Sequence, residues 1–246
     1  LGLTGKSRPG GLKVVVPRLP RISNFDDLDP LRLEPDVDLT ILEPGTALPG
    51  DTDLVLLPGS KATRSDLAAL VANGWDIDIK AHHRRGGWVI GLCGGYQMLG
   101  RMVHDPDGIE GEPGSSPGLG LLDVETTLAP IKTVRQTRAV DRSTGLPVSG
   151  YEIHQGLTPG PDTARPMLAL EQGACGAIAS DGRVMGAYLH GLFASDPFRR
   201  AFIERIRSGA ASDLAYAARI ESVLDDLASH LAAHLDIARI SAIAGL

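Results

Sequence analysis

A short apolar run followed by a glycine-rich turn constrains this chain more than any other stretch. Trp88-Val89-Ile90 is typical of a buried strand, Gly91-Leu92-Cys93-Gly94-Gly95 follows it, and a helix-compatible segment begins at Tyr96. A small-x-nucleophile-x-small pattern between a strand and a helix predicts a nucleophile elbow, in which only small residues fit beside the nucleophile. Cys93 would then lie at a helix N-terminus, where free N–H groups and the helix dipole favour a thiolate.

The segments on either side of the elbow alternate between strand and helix patterns. Strands are expected at 13–16, 37–42, 53–57 and 184–189, and helices at 62–71 and 76–85. Apolar and polar residues alternate over 119–128, 133–140 and 148–153, which predicts antiparallel strands. The expected fold is α/β and flavodoxin-like, with a mostly parallel doubly wound sheet and an antiparallel extension.

Length and composition indicate the domain organisation and exclude some classes of binding partner. The 246 residues suit a linker at 1–11, a main domain at 12–208 and a C-terminal helical extension at 209–246. The net charge of −6 argues against nucleic-acid binding. No apolar run approaches the roughly 18 residues that span a bilayer, so no membrane partner is expected. Cys93 and Cys175 cannot form a disulfide framework, which favours the cytoplasm.

Further candidate residues lie where strands are expected to end. His190 follows the strand at 184–189, a position suited to a general base. Gly59 lies in a Pro-Gly-Ser turn after 53–57, and such a turn directs backbone N–H groups towards a cleft. The polar segment 18–27 follows the first strand and is either a ligand loop or a plain connection. Cys175 lacks a strand-to-helix context and is interpreted as a bystander.

Six stretches between residues 13 and 207 are together far more specific than any one of them. In order they are Arg18-Leu19-Pro20-Arg21-Ile22-Ser23-Asn24-Phe25-Asp26-Asp27, Leu57-Pro58-Gly59-Ser60-Lys61, Leu92-Cys93-Gly94-Gly95-Tyr96-Gln97-Met98-Leu99-Gly100, Gly118-Leu119-Gly120-Leu121-Leu122-Asp123, Gly150-Tyr151-Glu152-Ile153-His154 and Tyr188-Leu189-His190-Gly191-Leu192-Phe193. With them the chain resembles the class I glutamine amidotransferases of the cobyrinate type. Within these it is most similar to the C-terminal amidotransferase domain of the cobyric acid synthase family.

The resemblance implies a division of labour. Cys93 would attack the side-chain amide of glutamine and form a γ-glutamyl thioester, while His190 activates the thiol and protonates departing ammonia. The backbone N–H groups of Gly59 and Gly94 would hold the oxyanion. Ammonia would pass to an N-terminal ATP-dependent synthetase domain, absent here, that binds ATP and Mg²⁺ and amidates corrinoid carboxylates in cobalamin biosynthesis. Residues 1–11 would be the linker from that domain, and this chain would need no cofactor or metal of its own.

One position departs from the wider class. Most class I amidotransferases complete a triad with an acid two residues after the histidine, and that position is Leu192 here. The cobyric acid synthase family resembles this sequence in lacking that acid, which leaves the group that orients His190 unassigned. Glu152 is a candidate for this supporting role, and His154 and Gln97 are candidates for supporting or substrate-contacting residues.

Other functions fit part of the pattern. Within the enzyme class, the alternatives are the amidotransferase of a cobyrinate a,c-diamide synthase and a cell-wall amidotransferase. The segments 22–25 and 150–154 favour the cobyric acid synthase family over both. A non-catalytic docking module that kept the scaffold is the alternative outside the enzyme class. The presence of both Cys93 and His190 argues against it.

Overall fold

A six-stranded sheet forms the centre of the structure, a computed structural model that describes residues 10–245. Residues 12–99 contain, in chain order, β1 (Leu12–Pro17), β2 (Ile22–Ser23), α1 (Asp29–Leu33), β3 (Val37–Leu42), β4 (Leu54–Leu57), β5 (Gly59–Ser60), α2 (Thr63–Ala72), α3 (Trp75–Arg84), β6 (Trp88–Leu92) and α4 (Gly94–Leu99). Residues 1–9, most of the expected linker, lie outside the described residues.

The chain continues from α4 through short strands and a long hairpin to three helices. These elements are β7 (Met102–Asp105), β8 (Gly114–Pro117), β9 (Glu125–Asp141), β10 (Pro147–Leu157), β11 (Leu168–Leu170), β12 (Gly173–Cys175), β13 (Ala177–Ile178), β14 (Val184–Ala187), β15 (Leu189–His190), α5 (Asp196–Ile206), α6 (Tyr216–His234) and α7 (Ile237–Ala244).

The parallel order of the central sheet is flavodoxin-like, as the sequence predicts. Strands β3, β1, β4, β6 and β14 are neighbours in that order and all pair in parallel, and β13 adds an antiparallel edge. All four residues of β4 and of β14 are buried. Continuous apolar runs suit such strands because helices and loops cover both faces of a parallel sheet.

A second, mostly antiparallel sheet contains the long hairpin of β9 and β10. Its strand order is β12-β11-β9-β10-β15, and β7 and β8 join it beside β9. The prediction of separate strands at 119–128 and 133–140 is wrong, because one strand covers Glu125–Asp141. Residues 119–122 instead form a loop whose N–H groups bond to the carbonyls of Met98, Leu99 and Gly100. They satisfy groups that the end of α4 leaves free.

The last parallel strand is shorter than the sequence predicts. β14 ends at Ala187, and after Tyr188 the chain enters β15, whose His190 pairs with Tyr151 of β10. His190 therefore belongs to the second sheet and not to the tip of a parallel strand. The change of sheet brings the imidazole to the junction of the elbow and the hairpin.

The described chain divides into two compact units, with a boundary between Ser212 and Asp213. The sheets and α1 to α5 belong to the first unit, and α6 and α7 belong to the second. Both helices lie inside the stretch 209–246 that the sequence analysis assigns to a C-terminal helical extension. Of the helices in residues 10–245, none is long and apolar enough to cross a membrane.

Candidate active site

Cys93 occupies the strained turn that the sequence predicts between β6 and α4. Its backbone angles are φ 50° and ψ −108°, and Asn24 is the one other non-glycine residue with positive φ in the described chain. A β-carbon on Gly91 would lie 2.5 Å from the carbonyl carbon of Gly95, and one on Gly95 would lie 2.1 Å from the carbonyl oxygen of Leu57. The two glycines therefore permit the tight turn that presents the thiol.

A buried aspartate holds the imidazole of His190. Oδ2 of Asp27 lies 2.6 Å from Nδ1 of His190, and its Oδ1 accepts the Gly191 N–H at 2.7 Å. The exposed fractions of the two side chains are 1% and 0%. Because the carboxylate binds Nδ1, it orients the ring and leaves Nε2 available for proton transfer. Nε2 is buried and has no hydrogen-bond partner among residues 10–245.

The same contacts set the charge of the imidazole. Burial opposes the charged form, but the hydrogen bond and charge of Asp27, together with the thiol of Cys93, outweigh it and raise the pKa of His190 to about 10. The ring is therefore protonated at neutral pH. An imidazolium beside a thiol stabilises its thiolate, which is the nucleophilic form of cysteine.

The expected oxyanion residues lie beside this pair. A β-carbon on Gly59 would lie 3.0 Å from Cε1 of His190, and one on Gly94 would lie 2.9 Å from the Ser60 nitrogen. The Pro-Gly-Ser turn thus packs directly against both the elbow and the imidazole. The structure brings together Cys93, His190, Gly59 and Gly94, all of which the sequence analysis selected.

The loop between β1 and α1 supports the imidazole from a second side. The Asn24 amide donates to the Tyr151 hydroxyl at 2.6 Å, and the Tyr151 ring stacks on His190 with centroids 5.2 Å apart. Asn24 has the left-handed conformation that asparagine tolerates better than most residues. The loop therefore contributes both Asp27 and the Asn24–Tyr151 contact.

Glu152 does not orient His190, contrary to the supporting role considered from the sequence. It lies on the other face of β10, where it pairs with Arg135 and accepts from the Thr137 hydroxyl at 3.1 Å. Burial opposes its charged form, but Arg135 outweighs this effect and the pKa of Glu152 is lowered. Nearby, burial raises the pKa of Cys175 to about 12, so that thiol stays protonated.

Gln97 and His154 lie at the wall of a cavity of about 340 Å³ that also contains Cys93. The Gln97 side chain is fully engaged, since it accepts from Thr63 at 2.8 Å and donates to the Tyr188 hydroxyl at 3.2 Å and the Gln155 carbonyl at 3.1 Å. His154 stacks on Tyr188 with centroids 3.7 Å apart. Burial lowers the pKa of His154, so its ring is neutral at pH 7.

The residue that sequence reasoning missed is Asp27. The position of segment 18–27 after a strand end indicates a ligand loop, but nothing in the sequence distinguishes Asp27 from Asp26 beside it. The short 3-10 turn at Phe25–Leu28 directs the Asp27 side chain inwards, and the residue is buried. Within the described residues, no group of three or more His, Cys, Asp or Glu side chains is placed to hold a metal ion.

Solved structures share the fold of this chain at low sequence identity. PurLQS from Thermotoga maritima aligns with a TM-score of 0.57 at 16% identity, over 82% of this chain and 94% of that one. A crystal structure described as a glutamine amidotransferase aligns with a TM-score of 0.58 at 15% identity, over 80% of this chain and 99% of that one. These likenesses establish the class I glutamine amidotransferase fold.

Sequence relatives are much closer. The chain is 58% identical over 237 residues to cobyric acid synthase of Bradyrhizobium diazoefficiens, and 60% identical over 235 residues to that of Paracoccus denitrificans. Both matches cover 96% of this chain but only 49% and 48% of the relatives, so it spans about half their length. Residues 13–198 match the CobB/CobQ-like glutamine amidotransferase domain. The chain therefore belongs to the CobB/CobQ-like glutamine amidotransferase family.

Proposed function

We propose that this chain releases ammonia from the side-chain amide of glutamine through a thioester on Cys93. The observation that carries this proposal is the buried Asp27–His190 pair beside a strained cysteine. A nucleophile, an oriented general acid–base and N–H donors at one point are what acyl transfer through a covalent intermediate requires.

The first half-reaction follows from the charge state of the site. The Cys93 thiolate attacks the amide carbon, and the oxygen becomes an oxyanion held by the N–H groups of Gly59 and Gly94. His190 carries a proton at neutral pH because its pKa is raised to about 10. Its Nε2–H protonates the departing nitrogen, so that ammonia leaves and a γ-glutamyl thioester remains.

The second half-reaction regenerates the thiol. The imidazole, neutral after it has given up its proton, takes a proton from water. The resulting hydroxide equivalent attacks the thioester carbonyl, and Gly59 and Gly94 again hold the oxyanion. Collapse of this intermediate releases glutamate and returns the Cys93 thiolate. Asp27 keeps Nδ1 protonated throughout, so that Nε2 is the nitrogen that exchanges the proton.

The released ammonia serves, in this proposal, an ATP-dependent synthetase that amidates corrinoid carboxylates. Support comes from the relatives called cobyric acid synthase, which are about twice as long as this chain. ATP and Mg²⁺ would be bound by the other half of such a protein, and this chain would bind glutamine.

Glutamate release tests the glutaminase step. Wild type and Cys93→Ala are incubated with glutamine, with and without a matching synthetase half, and glutamate is quantified. Wild type is expected to release glutamate and Cys93→Ala to release none above background. Equal release by the two proteins would refute the proposal. Cys175→Ala is the matched control, since its thiol is buried and stays protonated.

A further inference from the structure

The cavity that contains Cys93 is lined by a few charged side chains of both signs. Besides the thiol it is lined mainly by neutral polar groups, and three side chains that are charged at neutral pH contribute to it: Lys61, Glu110 and Lys132. Glu110 enters from the loop after β7, and Lys132 from the β9–β10 hairpin. A negative and a positive group thus reach the cavity from separate elements.

Glu110 is held firmly in its position. The fully buried Asp105 accepts the N–H groups of Ile109 and Glu110 at 2.7 and 2.9 Å. Oε2 of Glu110 accepts the backbone N–H of Arg64, in the first turn of α2, at 3.1 Å. Its Oε1 has no hydrogen-bond partner in the part of the chain that the structure describes. One carboxylate oxygen is therefore anchored, and the other is available to a ligand.

The loop that carries Glu110 is fastened a second time. The Arg64 side chain donates to the Glu112 carbonyl at 2.6 Å and to the Ser116 hydroxyl at 3.2 Å, and its guanidinium lies 3.7 Å from the Asp105 carboxylate. The loop is thus tied to α2 on both sides of Glu110. Such anchoring lowers the entropic cost of ordering the loop and the carboxylate when a ligand binds.

Lys132 provides a complementary charge from a different element, the β9–β10 hairpin. It pairs in register with Gln155, which also lines the cavity. Its side chain is exposed, and within residues 10–245 it has no ion-pair or hydrogen-bond partner. A ligand carboxylate would avoid the Glu110 side of the cavity because like charges repel, and would therefore lie towards the hairpin and Lys132. Lys61 precedes α2, the helix whose Arg64 N–H binds Glu110, so it reaches the cavity from the element on which Glu110 is anchored.

We propose that Glu110 binds the α-ammonium and Lys132 the α-carboxylate of a free amino acid whose side-chain amide lies at Cys93. This inference rests on the proposed glutaminase function and adds the basis of its substrate selection. The two charged side chains make the site specific for free glutamine, because a glutamine inside a peptide or a simple primary amide has neither α-charge. Such a substrate would displace water from the anchored carboxylate of Glu110 without supplying a cation to pair with it.

Labelling of Cys93 tests the inference without depending on turnover. 6-Diazo-5-oxo-L-norleucine carries both α-charges of glutamine, whereas iodoacetamide carries neither. Glu110→Gln is expected to slow labelling of Cys93 by the first reagent about 10- to 100-fold, the range for loss of one hydrogen bond to a charged group, and to leave the iodoacetamide rate unchanged. Glu112→Gln is the matched control, since it removes the same charge two residues away and does not line the cavity.

Further variants separate the two charges. Lys132→Met is expected to slow labelling by the amino-acid reagent similarly, and Lys61→Met to have a much smaller effect. Glu110→Gln should not change labelling by the analogue of the reagent that lacks the α-amino group. Normal labelling of Glu110→Gln by the full reagent would overturn the inference, and so would a larger effect at Lys61 than at Lys132. If wild-type Cys93 reacts with iodoacetamide but not with the glutamine analogue, the proposed function itself fails.

Discussion

Replacement of Asp27 by asparagine is the most informative perturbation of the site. Both carboxylate oxygens are in use, one at the Gly191 N–H and the other at Nδ1 of His190. In Asp27→Asn the amide oxygen must face the backbone N–H, because that buried donor needs an acceptor. The amide NH₂ then faces Nδ1, which becomes an acceptor. The remaining ring proton moves to Nε2, where it prevents the imidazole from accepting a proton.

The expected loss follows from this change of tautomer. In a nucleophile–histidine–aspartate triad the same substitution lowers kcat about 10⁴-fold, or about 5.5 kcal/mol in activation free energy. We therefore expect Asp27→Asn to lower kcat by about 10³- to 10⁴-fold, with a small change in KM. Asp26→Asn is the matched control, because Asp26 is exposed and contacts the Tyr151 hydroxyl only at 3.5 Å.

The pH dependence of stability provides a readout that is independent of turnover. The folded-state pKa of His190, about 10, lies above the ordinary histidine value of 6.5. The difference corresponds to at most about 5 kcal/mol at 1.36 kcal/mol per pKa unit. This stability is fully present below pH 6.5 and is lost as the pH rises towards 10. Urea unfolding of Asp27→Asn should show a deficit relative to wild type that narrows over this range.

NMR titration of the His190 ring completes the test. Wild type should show no titration of this ring between pH 6 and 8, and Asp27→Asn should show a lowered pKa. The reasoning is refuted if folded Asp27→Asn keeps more than a tenth of the wild-type kcat, or if Asp26→Asn loses as much activity as Asp27→Asn.

Three further substitutions test other parts of the structure. Gly95→Ala places a β-carbon 2.1 Å from the Leu57 carbonyl oxygen, so its free energy of unfolding should fall by about 3 kcal/mol, as measured in urea. Glu152→Gln weakens the contact with Arg135 and should cost about 1–2 kcal/mol at pH 7. Because the pKa of Glu152 is lowered from 4.5, that deficit should shrink as the pH falls below 4.5 and through the lowered folded-state pKa, and a deficit that grows as the pH falls through this range would contradict this account. Cys175→Ala should keep kcat within about threefold of wild type, since burial holds its thiol protonated, and a tenfold loss in a folded variant would contradict it.

The parallel sheet and the elbow were predictable because their patterns are local. Segments of four to six mostly apolar residues define β1, β3, β4 and β6, and a tight turn needs small residues on both sides of Cys93. The antiparallel part was harder to predict. Leu122 and Val124 are two residues apart, as in a strand, but together with Leu119 they belong to a loop that caps α4 and are buried in the core. Tertiary packing overrides the strand pattern there.

The group that orients His190 could not be found from the sequence because it is 163 positions away in the chain. Spacing identifies partners within one element, such as an acid two residues after the histidine, and Leu192 excludes that arrangement here. Asp27 reaches the imidazole because a 3-10 turn in the loop after β1 directs its side chain inwards, where it binds His190 at the end of β15. Glu152 was selected by its place on a strand near the site, but the pleat directs it to the other face.

The central claim is that Cys93 forms a γ-glutamyl thioester, and a hydroxylamine trap tests it most directly. Hydroxylamine attacks a thioester, so that γ-glutamyl hydroxamate forms in place of glutamate and the thiol is returned. Wild type with glutamine and hydroxylamine should yield hydroxamate at the expense of glutamate, and Cys93→Ala should yield neither. Glutamate release without hydroxamate at saturating hydroxylamine, or hydroxamate formation by Cys93→Ala, would contradict the account.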